Sequence, residues 1–143
     1  MYHIIQTAHS YIAYLALALL VAAVVVSFLG LKSTTFKAQD AKIYMYSVIA
    51  THTQLVLGLV LLFISPITQA AYANMAATMK DATLRRYAVE HPSVNILAVI
   101  LVTVASARTK RIKEVSKKYR TGLIFFGLAL LLIFSRIPWS AWL

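Results

Sequence analysis

The chain has 143 residues, of which 61% are hydrophobic and 13% are charged. A soluble domain usually carries about 25% charged residues. There is no cysteine, which excludes disulfides, iron–sulfur clusters, thiolate metal sites and covalent c-type haem attachment. The net charge of +10 could suggest nucleic acid as a partner. The basic residues cluster in two loops beside apolar segments, however, which is typical of a membrane protein that binds no nucleic acid.

Two long stretches, residues 1–31 and 43–79, contain no Lys, Arg, Asp or Glu. Each exceeds the roughly 20 apolar residues that cross a bilayer core, which predicts an integral membrane protein. The first stretch has no basic segment ahead of it and no clear cleavage site. We therefore expect Met1 to be the true start and the segment to be a retained anchor rather than a signal peptide.

Taken in chain order, the pattern predicts one all-α domain over residues 1–143 with four transmembrane helices. The helices cover roughly residues 5–30, 40–66, 91–109 and 119–138. Gly30 closes the first, Pro66 ends the second, Pro92 opens the third and Pro138 ends the fourth, because proline fits only the first turn of a helix or the residues after it. Short loops make consecutive helices antiparallel, so we expect an up-down-up-down bundle.

The connection between the second and third helices is predicted to be a short amphipathic helix on the outer surface. The stretch "TQAAYANMAATMKDATLRRYAVE" (68–90) is rich in alanine, lacks glycine and proline, and places Tyr72, Met75, Met79 and Leu84 near one helical face. A simple tether is the alternative.

The distribution of loop charges predicts the orientation. Loops 31–42 and 108–120 together contain ten Lys and Arg residues. The opposite side contains four, which are Lys80, Arg85, Arg86 and Arg136. The positive-inside rule then makes both termini and the 67–90 connection non-cytoplasmic.

Histidines inside the spans are the main candidates for function, because ionisable groups in a bilayer are costly. At a rise of about 1.5 Å per residue, His9 lies about 31 Å and His91 about 28 Å above the cytoplasmic ends of their helices. His52 lies only about 18 Å up, near the middle of the bilayer. Glu90 and Arg136 belong to the outer layer, so these two can meet His9 and His91, with His52 beneath them.

Small residues follow both outer histidines at helical spacing. Steps of three and four give Ala13, Ala16, Leu20, Ala23 and Ser27 after His9, and Asn95, Ala98, Val102 and Ala105 after His91. These rows leave space beside each imidazole that a flat macrocycle could fill. Alternatively, they let membrane helices pack closely.

His52 and Glu90 each have a simple structural interpretation beside a functional one. His52 lies in "IATHTQLVLGL", next to two threonines and Gln54. It could be a ligand or a proton relay, or it could bond to a neighbouring helix or to its own backbone. Glu90 precedes the third helix, where the helix dipole favours an acid whatever the function.

Four segments of the chain carry a resemblance to known proteins. The segments "TAHSYIAYL", "THTQLVLGLVLLFISP", "EHPSVNILAVILVTVASARTKR" and "SRIPW" resemble small bacterial four-helix membrane proteins labelled cytochrome b-like. The similarity covers nearly the whole chain in the same order. It implies b-type haem held by histidines drawn from His9, His52 and His91. No helix has two histidines about thirteen residues apart, the spacing of proteins with two stacked haems, so we expect at most one haem.

The similar heights of His9 and His91 make them the best axial pair under this resemblance. His52 would then serve a quinone headgroup, or would itself be the partner of His91. An imidazole ligand is usually oriented through its second ring nitrogen. The candidates for such supporting roles are Ser10, Gln54, Glu90, Asn95 and Arg136.

Three functions follow from these observations. The first is electron transfer by a haem protein of the bacterial inner membrane, between the quinone pool and an outer-side partner. The second is a cofactor-free structural or accessory subunit of a larger membrane complex, or a homo-oligomer in contact with lipid. The third is a metal-ion site built from the three histidines, with zinc or copper as the best match. The sequence has no Ser/His/Asp arrangement, paired carboxylate site or phosphate-binding glycine loop, so we expect an electron-transfer or accessory subunit rather than a stand-alone enzyme.

Overall fold

The computed structural model describes residues 1–142, all of the regular elements being helices. The long helices are α1 (Tyr2–Gly30), α2 (Ala38–Ile64), α6 (His91–Arg111) and α7 (Val115–Arg136). The short ones are α3 (Pro66–Ala73), α4 (Met75–Thr78), α5 (Ala82–Arg85), a π-helical turn (Arg86–Glu90) and α8 (Trp139–Trp142).

Four helical segments are long and apolar enough to cross a membrane. They are Tyr2–Gly30, Ala38–Ile64, Ala82–Arg111 and Val115–Arg136, the third of which combines α5, the π turn and α6. The predicted all-α bundle of a multi-pass membrane protein is therefore confirmed. The largest error in the predicted bounds is the third span, which begins at residue 82 rather than 91.

The four long helices form a ring in which each packs against two others. α1 and α6 both pack against α2 and α7. Fully buried alanines lie between them, including Ala23, Ala98, Ala105 and Ala129. Small side chains let helix backbones approach closely, which is how helices associate inside a membrane, where apolar burial gives little net gain.

The bundle has two chemically different ends. The end that carries both chain termini and the short helices is called the terminal end here. The other, called the basic end, carries the connections 31–37 and 112–114 and the Lys and Arg residues beside them. Each of the four long helices runs antiparallel to the next long helix along the chain, as the up-down-up-down prediction requires.

The connection between α2 and α6 consists of three short helices and the π turn instead of the single helix that the sequence predicts. Asn74 interrupts the segment because its side chain accepts a hydrogen bond from the backbone N–H of Ala77, 3.1 Å away, and so caps α4. Asp81 caps α5 in the same way through the N–H of Leu84, at 2.8 Å. Asn and Asp are favoured caps because their short side chains satisfy free N–H groups at helix starts.

The predicted apolar face of this connection is only partly covered by the rest of the protein. Tyr72, Met75 and Met79 are 44%, 40% and 49% exposed, whereas the smaller Ala71 and Thr78 are buried. These large side chains are therefore partly exposed, although the Tyr72 hydroxyl reaches the Ala88 carbonyl of the π turn.

Two tyrosines form a buried polar cluster at the basic end. The Tyr119 hydroxyl donates to Asp40 Oδ2 at 2.5 Å, and the Lys37 N–H donates to the same hydroxyl at 3.2 Å. The ring of Tyr119 lies against Gly30, where a Cβ would overlap it. No described residue has a positive φ. Gly30 therefore ends α1 as predicted, but its role is to make room for Tyr119.

The second buried tyrosine follows the same pattern. The hydroxyl of Tyr44 is hydrogen-bonded to Ser27 Oγ, and Ser27 Oγ lies 2.6 Å from the Ala23 carbonyl. The Tyr44 hydroxyl rests on Gly122 of α7, again where a Cβ would overlap it. Each tyrosine thus lies against a glycine of another helix, which sets the spacing of α1, α2 and α7 at this end.

Candidate functional site

A cavity of about 390 Å³ occupies the terminal half of the bundle. Its floor includes Leu20, Thr51 and Val99, and its outer rim includes Tyr2 and Tyr87. Sites for cofactors and small molecules commonly measure about 300–1,000 Å³ and are mainly apolar with a few polar groups. The described lining residues follow this composition and include no Lys, Arg, Asp or Glu.

His9 of α1 and His91 of α6 face each other across this cavity. Their ring centroids lie 6.3 Å apart, with an angle of 73° between the ring planes. Both side chains line the cavity, together with Ser10, Gln54 and Asn95. The two histidines come from opposite helices of the ring, at the similar heights that the helical rise predicts.

The π-helical turn and Pro92 set the position of His91. The His91 N–H bonds to the Arg86 carbonyl, five residues earlier, as a π turn requires. Pro92 has no N–H to offer to the carbonyl of Ala88, and the hydroxyl of Tyr72 donates to that carbonyl at 3.0 Å instead. An outside donor of this kind allows a proline inside a membrane helix. Pro92 lies in the first turn of α6, as predicted, but the span continues back through the π turn to Ala82.

A backbone carbonyl orients the ring of His91. His91 Nδ1 lies 3.0 Å from the carbonyl oxygen of Arg136, in the last turn of α7. Because a carbonyl can only accept, this contact requires the hydrogen on Nδ1 and leaves Nε2 with its lone pair. The Asn95 amide nitrogen also lies 3.2 Å from Nδ1. The Asn95 amide donates to the backbone carbonyl of His91 at 2.6 Å. Both contacts hold the imidazole without occupying Nε2.

His9 has no such support. Its Nδ1 is buried beside the backbone of Gln54 and lacks a hydrogen bond of standard geometry within the described chain. Gly58 of α2 lies beside the ring, where a Cβ would stand 3.2 Å from Cε1 and 3.8 Å from Nδ1. The Gln54 amide donates to the backbone carbonyl of His9 at 2.9 Å, while the Gln54 Oε1 atom is buried without a partner.

Charged residues lie near the site but do not line the cavity. Glu90 pairs with Arg85 Nε at 2.8 Å and with Arg136 Nε at 3.5 Å. This bridge joins the start of α6 to the end of α7, the two elements that hold His91 and its acceptor. Glu90 and Arg136 thus meet His9 and His91 in one layer, as predicted, with Glu90 joining the helices and the Arg136 carbonyl supporting His91.

His52 lies apart from the other two histidines. Its Nδ1 donates to the Val48 carbonyl at 2.7 Å, and its Nε2 lies 3.2 Å from Thr103 Oγ1 on α6. His52 does not line the cavity, and Thr103 is exposed on the outside of the bundle. Both structural alternatives for His52, a bond to its own backbone and one to a neighbouring helix, are present. Within the described residues, no three His, Cys, Asp or Glu side chains are grouped to hold a metal ion.

The small-residue rows below the histidines divide between the two interpretations. On α1, Ala13, Ala16 and Leu20 line the cavity, whereas Ala23 and Ser27 are fully buried between helices. On α6, Asn95 lines the cavity, whereas the rest of the row is buried in the helix interface. Space for a ligand therefore lies on the α1 side, and the row on α6 serves close packing.

Comparison with known proteins places the chain in no family. No protein-family model matches it, and neither a curated protein nor a solved structure does. The geometry of the histidine-lined cavity is therefore the basis for a functional proposal.

Proposed function

We propose that the chain binds one b-type haem between His9 and His91. The observation that carries the proposal is the facing pair of imidazoles with a 6.3 Å centroid separation in a largely apolar cavity. A metal–imidazole bond is about 2.0 Å long, so two imidazoles that bind one ion from opposite sides have centroids about 6 Å apart once the ring radii are added. The spacing therefore suits two axial ligands of one iron.

The surroundings of the two histidines fit such a group. A ligating histidine typically donates its other N–H to a carbonyl or carboxylate, and His91 does so through Nδ1 to Arg136. The ring of His9 lies beside the backbone of Gln54, and no side chain of the described residues is hydrogen-bonded to its Nδ1. The missing side chain at Gly58 leaves room beside this ring.

Bound haem would supply one-electron redox chemistry, whose potential depends on the axial ligands and on burial. The chain's own residues would hold the group and exclude water. His91 is oriented by a backbone carbonyl, and the apolar lining shields the site. The protein would pass electrons between the quinone pool and a partner at the terminal end. With the basic loops on the cytoplasmic side of a bacterial inner membrane, that end and both termini are non-cytoplasmic.

A second candidate function is a cofactor-free structural or accessory subunit. The observation that favours it is His52, whose hydrogen bonds are made inside the protein. Under this proposal the facing histidines are an edge-to-face ring pair, and the exposed outer faces meet lipid, a larger complex or a second copy.

Haem titration of the detergent-purified protein separates the two functions. We expect the wild type to show the split α and β bands of a reduced bis-imidazole haem. His9→Ala and His91→Ala should lose these bands, and added imidazole should restore them where the variant keeps its helical circular dichroism. His52→Ala and the exposed His3→Ala are the controls and should keep the spectrum.

Two results would contradict the haem proposal. One is a wild-type protein that, with haem supplied and reduced, shows only the spectrum of free haem and no split α and β bands. The other is loss of the spectrum in His52→Ala with retention in His9→Ala, which would make His52 an axial ligand.

A further inference from the structure

We infer that the basic end of the bundle binds anionic phospholipids through their phosphate headgroups, with Lys42 of α2 and Arg120 of α7 each at one such site. Two observations carry the inference. The basic end has far more cations than its own acids can neutralise, and these two cations share a helix face with exposed apolar side chains. The inference concerns the membrane surface and does not depend on haem binding.

The positive charge of the basic end is largely uncompensated within the protein. Loops 31–42 and 108–120 contain ten Lys and Arg residues but only two acids, Asp40 and Glu114. Asp40 is buried and accepts the hydroxyl hydrogen of Tyr119, and Glu114 pairs with Lys117 at 3.3 Å. Like charges held close together repel one another, and an anion bound among them lowers that repulsion. The basic end is therefore a surface that attracts anionic groups.

Lys42 and Arg120 are available to such a group. Both are exposed, and within residues 1–142 neither forms a hydrogen bond or an ion pair. Two other cations of this end are engaged differently. Arg108 and Lys118 each lie over a phenylalanine ring, with Arg108 Cζ 5.5 Å and Lys118 Nζ 5.0 Å from the ring centroid. Lys42 and Arg120 are thus the better candidates for binding a headgroup.

Large apolar side chains lie on the same helix faces as these two cations, one turn deeper in each span. Met45 and Tyr46 follow Lys42 by three and four residues in α2 and are 44% and 49% exposed. Ile124 follows Arg120 by four residues in α7 and is 49% exposed. Residues three or four apart share one face of a helix. Each face therefore offers a cation to a phosphate and an apolar surface to the acyl chain below it.

This combination favours a lipid over a nucleic acid or an acidic protein. A water-soluble polyanion would use the charges but would leave the adjoining apolar side chains without a partner. Clusters of Lys and Arg at the ends of membrane spans attract anionic lipids, and each cation strengthens the attraction by about fivefold. The positive-inside rule places this end at the cytoplasmic surface, where anionic lipid is available.

Quenching of a single tryptophan by brominated lipids measures which lipid lies beside a chosen residue. The reporter is Tyr46→Trp in a chain whose two natural tryptophans are replaced, Trp139→Phe/Trp142→Phe. The protein is reconstituted into phosphatidylcholine bilayers that contain brominated phosphatidylglycerol or brominated phosphatidylcholine. We expect phosphatidylglycerol to associate at this position about fivefold more strongly than phosphatidylcholine, and added salt to weaken the preference.

Substitutions at the cation test whether the preference is local. Lys42→Ala should lose most of the preference at the Tyr46→Trp reporter, and Lys42→Arg should keep it. Lys80→Ala/Arg86→Ala removes two exposed cations from the terminal end and should leave the preference unchanged. Unchanged helical circular dichroism shows that a variant is folded. Ile124→Trp with Arg120→Ala repeats the test at the second site.

Three results would overturn the inference. The first is equal quenching by the two brominated lipids, or a preference that survives loss of the adjacent cation at both reporters. The second is an equal loss of preference in Lys80→Ala/Arg86→Ala, which would show an effect of net charge alone. The third is displacement of brominated phosphatidylglycerol by polyglutamate at physiological ionic strength, which would indicate an acidic protein as the partner.

Discussion

Alanine at Gly122 should destabilise the bundle, although alanine is normally the better helix former. Gly122 lies on α7 beneath the Tyr44 hydroxyl, and a Cβ there would overlap that hydroxyl and stand 2.8 Å from Ser27 Oγ. Neither group can easily move away, because Tyr44 and Ser27 are both buried and bonded to each other. The added methyl must therefore displace the tyrosine or separate the helices.

Gly127 provides a matched control on the same helix. A Cβ at this position would meet no atom of another helix within 4 Å, so alanine there only removes backbone freedom from the unfolded chain. Replacing glycine by alanine within a helix stabilises it by about 0.5–1 kcal/mol. Overpacking costs about 1–3 kcal/mol, and a lost hydrogen bond adds about 1 kcal/mol. Gly122→Ala should thus be about 2–4 kcal/mol less stable than Gly127→Ala.

Reversible unfolding in mixed micelles with increasing SDS measures this difference. The double variant Gly122→Ala/Tyr44→Phe removes the hydroxyl that the methyl would meet and should recover part of the loss, which a double-mutant cycle quantifies. Equal unfolding free energies for Gly122→Ala and Gly127→Ala would refute the contact. A double variant no more stable than Gly122→Ala alone would show that the collision is not with the Tyr44 hydroxyl.

Three further substitutions test the site and its support. Gly58→Ala should lower haem affinity in a titration, because the added methyl would lie 3.2 Å from Cε1 of the His9 ring. It should not lower the unfolding free energy, because alanine favours the helix. A haem affinity equal to that of the wild type would contradict the contact. Tyr119→Phe leaves the buried Asp40 without its donor and should cost about 1–3 kcal/mol in the same SDS assay; an unchanged free energy would speak against this bond. Tyr72→Phe should speed amide hydrogen exchange at the start of α6, and wild-type exchange there would show that its hydroxyl is dispensable.

The transmembrane spans could be predicted because hydropathy alone decides them. The start of the third span could not. Pro92 lies in the first turn of α6, as its sequence position predicts, but the span continues back through the π turn to Ala82. The Tyr72 hydroxyl, on a separate helix, satisfies the Ala88 carbonyl there. A contact between distant parts of the chain leaves no local pattern. The π turn ahead of His91 could not be predicted from the sequence for the same reason.

The approach of His9 to His91 could be predicted because helical rise is regular and gives height in the bundle. The separation of His52 could not be deduced from height, which does not tell which way a side chain faces. The facing direction does leave a signal in the sequence. Ser47, Thr51, Gln54 and Gly58 follow one another at steps of three and four and form the inward row of α2, and His52 falls outside it.

Three of the glycines in this chain lie where an aromatic or imidazole ring from another helix packs against the backbone. Of the four glycines, Gly30 lies against Tyr119, Gly58 against His9 and Gly122 against Tyr44, while Gly127 contacts nothing nearby. Glycine costs helix stability, so its use within a span needs a compensating contact. A helical glycine in such a bundle therefore indicates that a ring from a neighbouring helix occupies the space, although it does not tell which ring.

The basic end of the bundle is tightly packed and contributes to stability, whereas the terminal end contains the cavity that could bind a ligand. At the basic end, the tyrosines fill the space between helices, and the cavity beside Asp40 and Tyr119 measures only about 100 Å³. At the terminal end, the cavity of about 390 Å³ leaves His9 with buried, unpaired polar atoms beside it, an arrangement that costs stability. Proteins tolerate such costs where a ligand binds, provided that the rest of the fold is stable enough. Because distant sites contribute independently to stability, variants in the cavity should keep a folded bundle, and their effects on ligand binding can then be measured separately from folding.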